Sequence, residues 1–244
     1  MKRCLIIIGN EGTPENFLPG VKSDVDNYLS FFKSDNGGAW EDDEIISEGV
    51  WSKDILQRRI FSKRMDGLDY ALIVFAGHGY GGKDGDIYFE LSPNNEISLK
   101  EIKSFFPAQK VMMIADSCQS YLTEELRERS VLTDSHRAVG RREELKKKYN
   151  QKIEEVCKNA FTFVSAVSLG ESAKENSQGG LYSRSLLARA KNIADDSVYK
   201  SNDVVDINKI HTMAMQDVKK ESDDEQHPYI SISRGDVYPP FYVK

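Results

Sequence analysis

Two places in this sequence bring together residue types that can break an acyl bond. Tyr70 to Ala76 is an apolar run that leads into Gly77-His78-Gly79, and Val111 to Ala115 leads into Asp116-Ser117-Cys118. A thiol becomes a strong nucleophile as thiolate, and a nearby imidazole both favours that form and can protonate a departing amine. Cys118 and His78 are therefore the candidate catalytic pair. Glycines on both sides of His78 allow close backbone approach, and the amides of Gly79 and Cys118 are candidates to hold the oxyanion of an attacked carbonyl. The same two residues are equally compatible with a turn histidine and a buried small thiol.

Asp116 lies two positions before Cys118, and strand alternation would put both side chains on one face. A buried, unpaired carboxylate is costly, and a cation brought by the substrate would relieve that cost. This points to Arg or Lys in a specificity pocket; the other use for Asp116 is to cap a following helix. Further candidates carry less. His136, His211 and His227 have no ligand spacing, and Cys4, Cys118 and Cys157 lie too far apart for a paired motif, so no metal site is expected. Gly9-Asn10-Glu11-Gly12 lacks both the dinucleotide fingerprint and the phosphate-loop lysine. Lys146, Lys147 and Lys148 share their stretch with Glu143, Glu144, Glu154 and Glu155, the pattern of a solvated helix face.

Positioning these residues requires elements whose ends converge. Cys4 to Ile8, Tyr70 to Phe75, Val111 to Ala115 and Phe161 to Val167 are short, β-branched or aromatic runs that predict buried strands, with a weaker strand near Glu44 to Val50. Between them, Val21, Val25, Tyr28, Leu29 and Phe32 keep helical spacing, a helix follows Ser52, and Leu99, Ile102 and Phe106 follow a capping box at Ser98 and Glu101. Leu145, Tyr149, Ile153 and Val156 predict a later helix, Tyr182, Leu186 and Ile193 another, and Ile207, Ile210, Ala214 and Val218 the last. Alternating strands and helices favour an α/β fold with a mainly parallel sheet covered on both faces. In such sheets, sites form where loops converge at the carboxyl ends of strands. If the His78 and Cys118 strands are neighbours, both residues emerge on one edge. Gln119 to about Arg142 has many charges and no usable period, so a mobile surface loop or weak helix is expected there.

The 244 residues suit one domain with a sizeable core. A net charge of −6 provides no basic field for nucleic acid or anionic lipid, and partners are expected to be proteins or small molecules. No apolar run approaches a membrane span or a signal sequence, so a cytoplasmic protein with reduced thiols is expected.

Phe75-Ala-Gly-His-Gly79, followed about forty residues on by Asp116-Ser-Cys-Gln-Ser120, resembles the paired motifs of the caspase and metacaspase superfamily. Leu18 to Asp24 resembles that family's first helix entry, Gly179-Gly-Leu-Tyr-Ser183 the motif before its penultimate helix, and Gln226-His-Pro228 its late strand entry. The resemblance implies a caspase-hemoglobinase α/β/α sandwich with a central sheet of six or more strands, as a single domain over 1–244. It implies a cysteine endopeptidase in which Cys118 is the nucleophile and His78 the acid/base. The cysteine motif departs from the caspase form Gln-Ala-Cys-x-Gly and is closer to metacaspases and bacterial caspase-like proteases. There the aspartate two before the cysteine and a second from the first helix entry hold a basic residue. Those positions are Asp116 and Asp24, so cleavage after Arg or Lys is expected. Gln119 stands where metacaspases commonly have histidine. Family members often carry a cleavable segment after the cysteine strand, which makes Arg129, Arg137 and Arg142 candidates for self-cleavage. Calcium activates many metacaspases through acidic loops, yet no matching cluster stands out in this sequence and no cofactor is expected to be required. The chain is expected to be a monomer acting on a protein substrate, with an activating or targeting partner protein or its own loops directing it. A microbial setting in stress, cell death or anti-phage defence follows by analogy. A catalytically silent interaction module and a small-amide hydrolase are the alternatives.

Overall fold

The computed structural model describes residues 1–47, 49, 51–119, 140–201 and 203–244. The most apolar segments of the chain make the centre of the sheet, because a parallel strand covered on both faces must bury every side chain. These are β1 (Arg3–Asn10), β3 (Tyr70–Gly77), β7 (Lys110–Asp116) and β8 (Phe161–Ser165), buried along nearly their whole lengths. Two short strands complete it: β2 (Ile45–Ile46), which lies within the expected weaker strand, and β12 (Tyr229–Ile232). The order is β12-β8-β7-β3-β1-β2, with β12 antiparallel to β8 and every other pairing parallel.

Strand alternation divides the core into two layers. Leu5, Ile7, Leu72, Val74, Met112 and Ile114 face α1 (Val21–Lys33), α4 (Gly140–Glu155), α5 (Leu181–Asn192) and α6 (Ile207–Glu221). Ile6, Ile8, Ile73, Phe75, Met113 and Ala115 face α2 (Lys53–Met65) and α3 (Leu99–Ser104). The result is the expected α/β/α sandwich. Local chemistry sets the helix starts: Ser98 and Glu101 form the reciprocal capping box of α3, and Ser52 Oγ accepts from Ile55 N at the start of α2.

The face bearing α3 also carries a small antiparallel sheet that the sequence pattern does not predict: β4 (Gly79–Gly81), β5 (Ile87–Ser92) and β6 (Asn95–Ser98). Two ribbons of very short strands are further additions. β9 (Glu175–Asn176) pairs with β10 (Gly179–Gly180), and β11 (Val204–Asp206) pairs with β13 (Pro240–Val243). The charged stretch expected to be mobile from Gln119 to Arg142 is structured at both ends. Gln119 is fully buried, and Gly140 to Arg142 belong to α4. Residues 120–139 between them lie outside the described residues.

Candidate active site

The sheet register decides which loops meet. β3 and β7 pair in parallel from Tyr70 opposite Lys110 to Ala76 opposite Asp116. His78 and Cys118 each follow two residues past this last pair, just beyond the strand ends. Neighbouring strands lie about 4.8 Å apart, so the imidazole and the thiol leave adjacent strand ends at the same level. Gly77 turns the chain after β3 at φ +152, where a Cβ would stand 2.8 Å from Asn10 O. Gly79 then runs against the other strand end; a Cβ there would lie 2.9 Å from Ser117 Oγ and 3.1 Å from Cys118 O.

The direction of the Gly79 amide follows from the β4–β5 ladder. His78 O accepts from Glu90 N at 3.0 Å, and Gly79 pairs with Phe89 in the β4–β5 ladder. Hydrogen-bonded and non-hydrogen-bonded pairs alternate along an antiparallel ladder. The pair at Gly79 is therefore of the second kind, and its N–H is directed away from β5, unengaged by that ladder.

His78 is held from the β1–α1 loop. Its Nε2 lies 2.6 Å from Asn16 O. A carbonyl oxygen only accepts, so Nε2 carries the hydrogen and the neutral ring keeps its lone pair on Nδ1. The loop is rigidly tied: Thr13 N and Oγ1 both donate to Asn16 Oδ1, at 2.6 and 2.9 Å, and Leu18 N donates to Glu11 O at 2.8 Å.

Cys118 sits half-buried, its Sγ 3.9 Å from Ala173 O. Burial pushes its thiol pKa up, opposed by the contact with Ala173 and reinforced by the charges of Asp116 and Glu175. Burial therefore favours the neutral thiol over the thiolate. Gln119 anchors the chain beyond it: its N donates to Glu171 O and its O accepts from Gly170 N, both at 2.9 Å, and Nε2 meets Ser165 Oγ.

Asp116 and Asp24, 7% and 3% exposed, converge on the start of α5. Asp116 Oδ2 accepts from Ser183 N at 2.9 Å, and both oxygens of Asp24 accept from Gly180 N, at 2.9 and 3.1 Å. Asp116 does meet a helix N-terminus, but it is that of α5 rather than of a helix following it. Gly179, at φ +119, and Gly180 pass so close that a Cβ on the first would coincide with the Asp24 carboxylate, and on the second with that of Asp116. Burial raises the pKa of both acids, and for Asp24 the neighbouring Asp116 raises it further. The site thus places two buried acids, whose charged forms lack full compensation, beside a thiol.

Three further residues belong to this setting. Glu175 pairs with Gly180 in β9–β10 and acts on both Asp24 and Cys118. Arg184 in the first turns of α5 donates from Nε to Gly179 O at 3.3 Å. Asn16 acts through its main-chain carbonyl.

The remaining candidates lie elsewhere. Arg129, Arg137 and His136 fall outside the described residues. Arg142 is in α4, and its guanidinium donates to Lys33 O, Asp35 Oδ1 and Glu41 Oε1 at 2.8, 3.1 and 3.1 Å. A protease takes its substrate extended, so cleavage after Arg142 would require the start of α4 to unwind. His211 is buried against Tyr182 OH and His227 pairs with Glu171, both remote in role from the thiol. Among the described residues, no group of three or more His, Cys, Asp or Glu side chains is disposed to hold a metal ion, and no helix is long and apolar enough to cross a membrane.

The family model for the caspase domain matches residues 1–238. Among solved structures, the chain is similar to caspase-1 from Spodoptera frugiperda, with a TM-score of 0.61, 14% identity, and 94% of this chain and 86% of that one covered. It is also similar to the Drosophila initiator caspase Dronc, with a TM-score of 0.58, 11% identity and coverage of 93% and 78%. A protein from Geobacter sulfurreducens matches with a TM-score of 0.57 and 15% identity over 100% of this chain and 99% of that one. These likenesses are of fold. No curated protein matches the chain in sequence.

Proposed function

Because this chain belongs to the caspase-domain family, a family of cysteine peptidases, we propose that it is a cysteine endopeptidase cleaving proteins after Arg or Lys. One observation carries the specificity: two buried carboxylates, Asp24 and Asp116, held by backbone amides at the start of α5, with Asp116 two residues from the thiol. A guanidinium or ammonium group can compensate such a pair; a substrate aspartate would be repelled by it.

In this reading Cys118 gives its proton to His78 Nδ1 as the sulfur attacks the substrate carbonyl carbon, forming the C–S bond and a tetrahedral oxyanion. The amides of Gly79 and Cys118 hold that oxyanion. The C–N bond then breaks as His78 returns the proton to the leaving amine, leaving an acyl-thioester. A water molecule, losing a proton to His78, attacks the thioester; the C–S bond breaks, the sulfur recovers the proton, and a carboxylic acid departs. Asn16 O keeps the imidazole in the tautomer the first transfer needs.

Self-processing extends the same specificity to Arg129 or Arg137, and Arg142 requires the helix start to open first. N-terminal sequencing of fragments from wild type and Cys118→Ala tests this; identical fragments from both would contradict it. The setting in microbial defence rests on the family resemblance.

A fluorogenic panel with Arg, Lys or Asp at the cleaved position tests the specificity. Turnover of the basic substrates, lost in Cys118→Ala, is expected. Preference for Asp would overturn the assignment of the pocket, and no turnover of any peptide would favour a silent interaction module.

A further inference from the structure

A cation stands next to the acid pocket, bonded to the segment that walls it. Asp24 on α1 and Asp116 on β7 are both buried, and the hydrogen bonds they accept from Gly180 N and Ser183 N come from neutral amides. Glu175 on β9 adds a third acid, and among the described residues Tyr28, Tyr182 and Cys118 also feel their charge. Two adjacent ionised carboxylates in a dry site repel one another, and burial of either charge is costly unless something positive lies near. The start of α5 supplies part of this through its dipole. Arg184 supplies a full charge: half-buried one turn after Gly180, it is tied by Nε to the carbonyl of Gly179, the residue wedged against Asp24.

We propose that Arg184 is a positioning residue that compensates Asp24 and Asp116 before substrate arrives and pins the Gly179–Gly180 segment running between them. This rests on the reading of those two aspartates as the pocket for a basic side chain. Arg184 acts through the carboxylates and touches no reacting atom. Its charge favours the ionised form of both acids, against the effect of their burial. A single guanidinium offsets at most one of the two charges of Asp24 and Asp116, so negative charge is available for the substrate to meet.

The test is the pH dependence of kcat/KM for an Arg substrate in wild type, Arg184→Gln and Arg184→Lys. Removing the charge is expected to move the acid limb upward by about one pH unit. Above that limb KM in Arg184→Gln is expected to be equal or lower, because a repulsive cation is gone, so the KM profiles cross. Arg184→Lys restores the limb. A uniform drop at every pH, or a limb that does not move, would overturn the proposal.

A second measurement is independent of catalysis. In the full chain carrying Cys118→Ala, the loss of thermal stability caused by Arg184→Gln is expected to be largest at alkaline pH, where both acids are charged, and to vanish as they protonate. A pH-independent loss would assign Arg184 a packing role and overturn the proposal. If wild type cleaves no basic substrate while the stability difference still follows pH, the substrate assignment fails and the counter-ion stands.

Discussion

The imidazole of His78 is tied through Nε2 to the main-chain carbonyl of Asn16, 2.6 Å away. That one bond fixes the ring from the side opposite the proton transfer. The acceptor is backbone, so changing the Asn16 side chain leaves it in place and removes the two bonds from Thr13 that hold the loop. Asn16→Ala is therefore expected to lower kcat about three- to tenfold with KM little changed, the size of a lost loop hydrogen bond or two. His78→Ala is expected to lower kcat by about 10²–10⁴. Steady-state kinetics on an Arg substrate check both; equal losses would mean that the loop, rather than the ring, carries the chemistry.

Asp116 illustrates a site that works against its own stability. Its folded pKa is raised by burial, so the unfolded chain gives up this proton more readily than the folded one. The sign follows: the charge destabilises the fold above the folded pKa, and that cost disappears as pH falls and the group protonates. Asp116→Asn can still accept from Ser183 N. It is expected to raise the thermal midpoint by about 2–4 °C near neutral pH, the response of a chain this size to about 1 kcal/mol. The gain should shrink in acid, and cleavage after Arg should be abolished. Calorimetry across pH with parallel kinetics checks this, and a stabilisation independent of pH would contradict it.

Gly180 passes where a side chain would enter the Asp116 carboxylate. Gly180→Ala is expected to lower kcat/KM for basic substrates by at least about a hundredfold, because small displacements of a positioning group carry losses of that order. Circular dichroism should show the secondary structure retained. Full activity in this variant would mean that the segment is not a wall of the specificity pocket.

Much of this arrangement could be read from the sequence because its signals are of the strong kinds. β3 and β7 are buried on both faces, which forces near-continuous apolar runs, and the breaks in those runs mark His78 and Cys118. α3 was legible from the side chains of its capping box. The β4–β6 sheet was not, since Tyr80-Gly-Gly-Lys-Asp-Gly85 carries the composition of a loop and its strands are short. Asn16 left no trace because a backbone carbonyl has no residue preference. Glu175 comes to the pocket through a pairing of two-residue strands across Ser177 and Gln178, too short to show a period. Arg184 stands on a helix face where an arginine would ordinarily be taken as solvated.

If Cys118 is the nucleophile of a peptidase that recognises a basic residue, a matched electrophile will capture it covalently. The full chain would be treated with matched peptidyl electrophiles ending in Arg or Asp, followed by intact mass and peptide mapping. One adduct on Cys118 with the Arg probe is expected, absent from Cys118→Ala, strongly slowed in His78→Ala, and not formed with the Asp probe. An unmodified Cys118, or a faster reaction with the Asp probe, would contradict it.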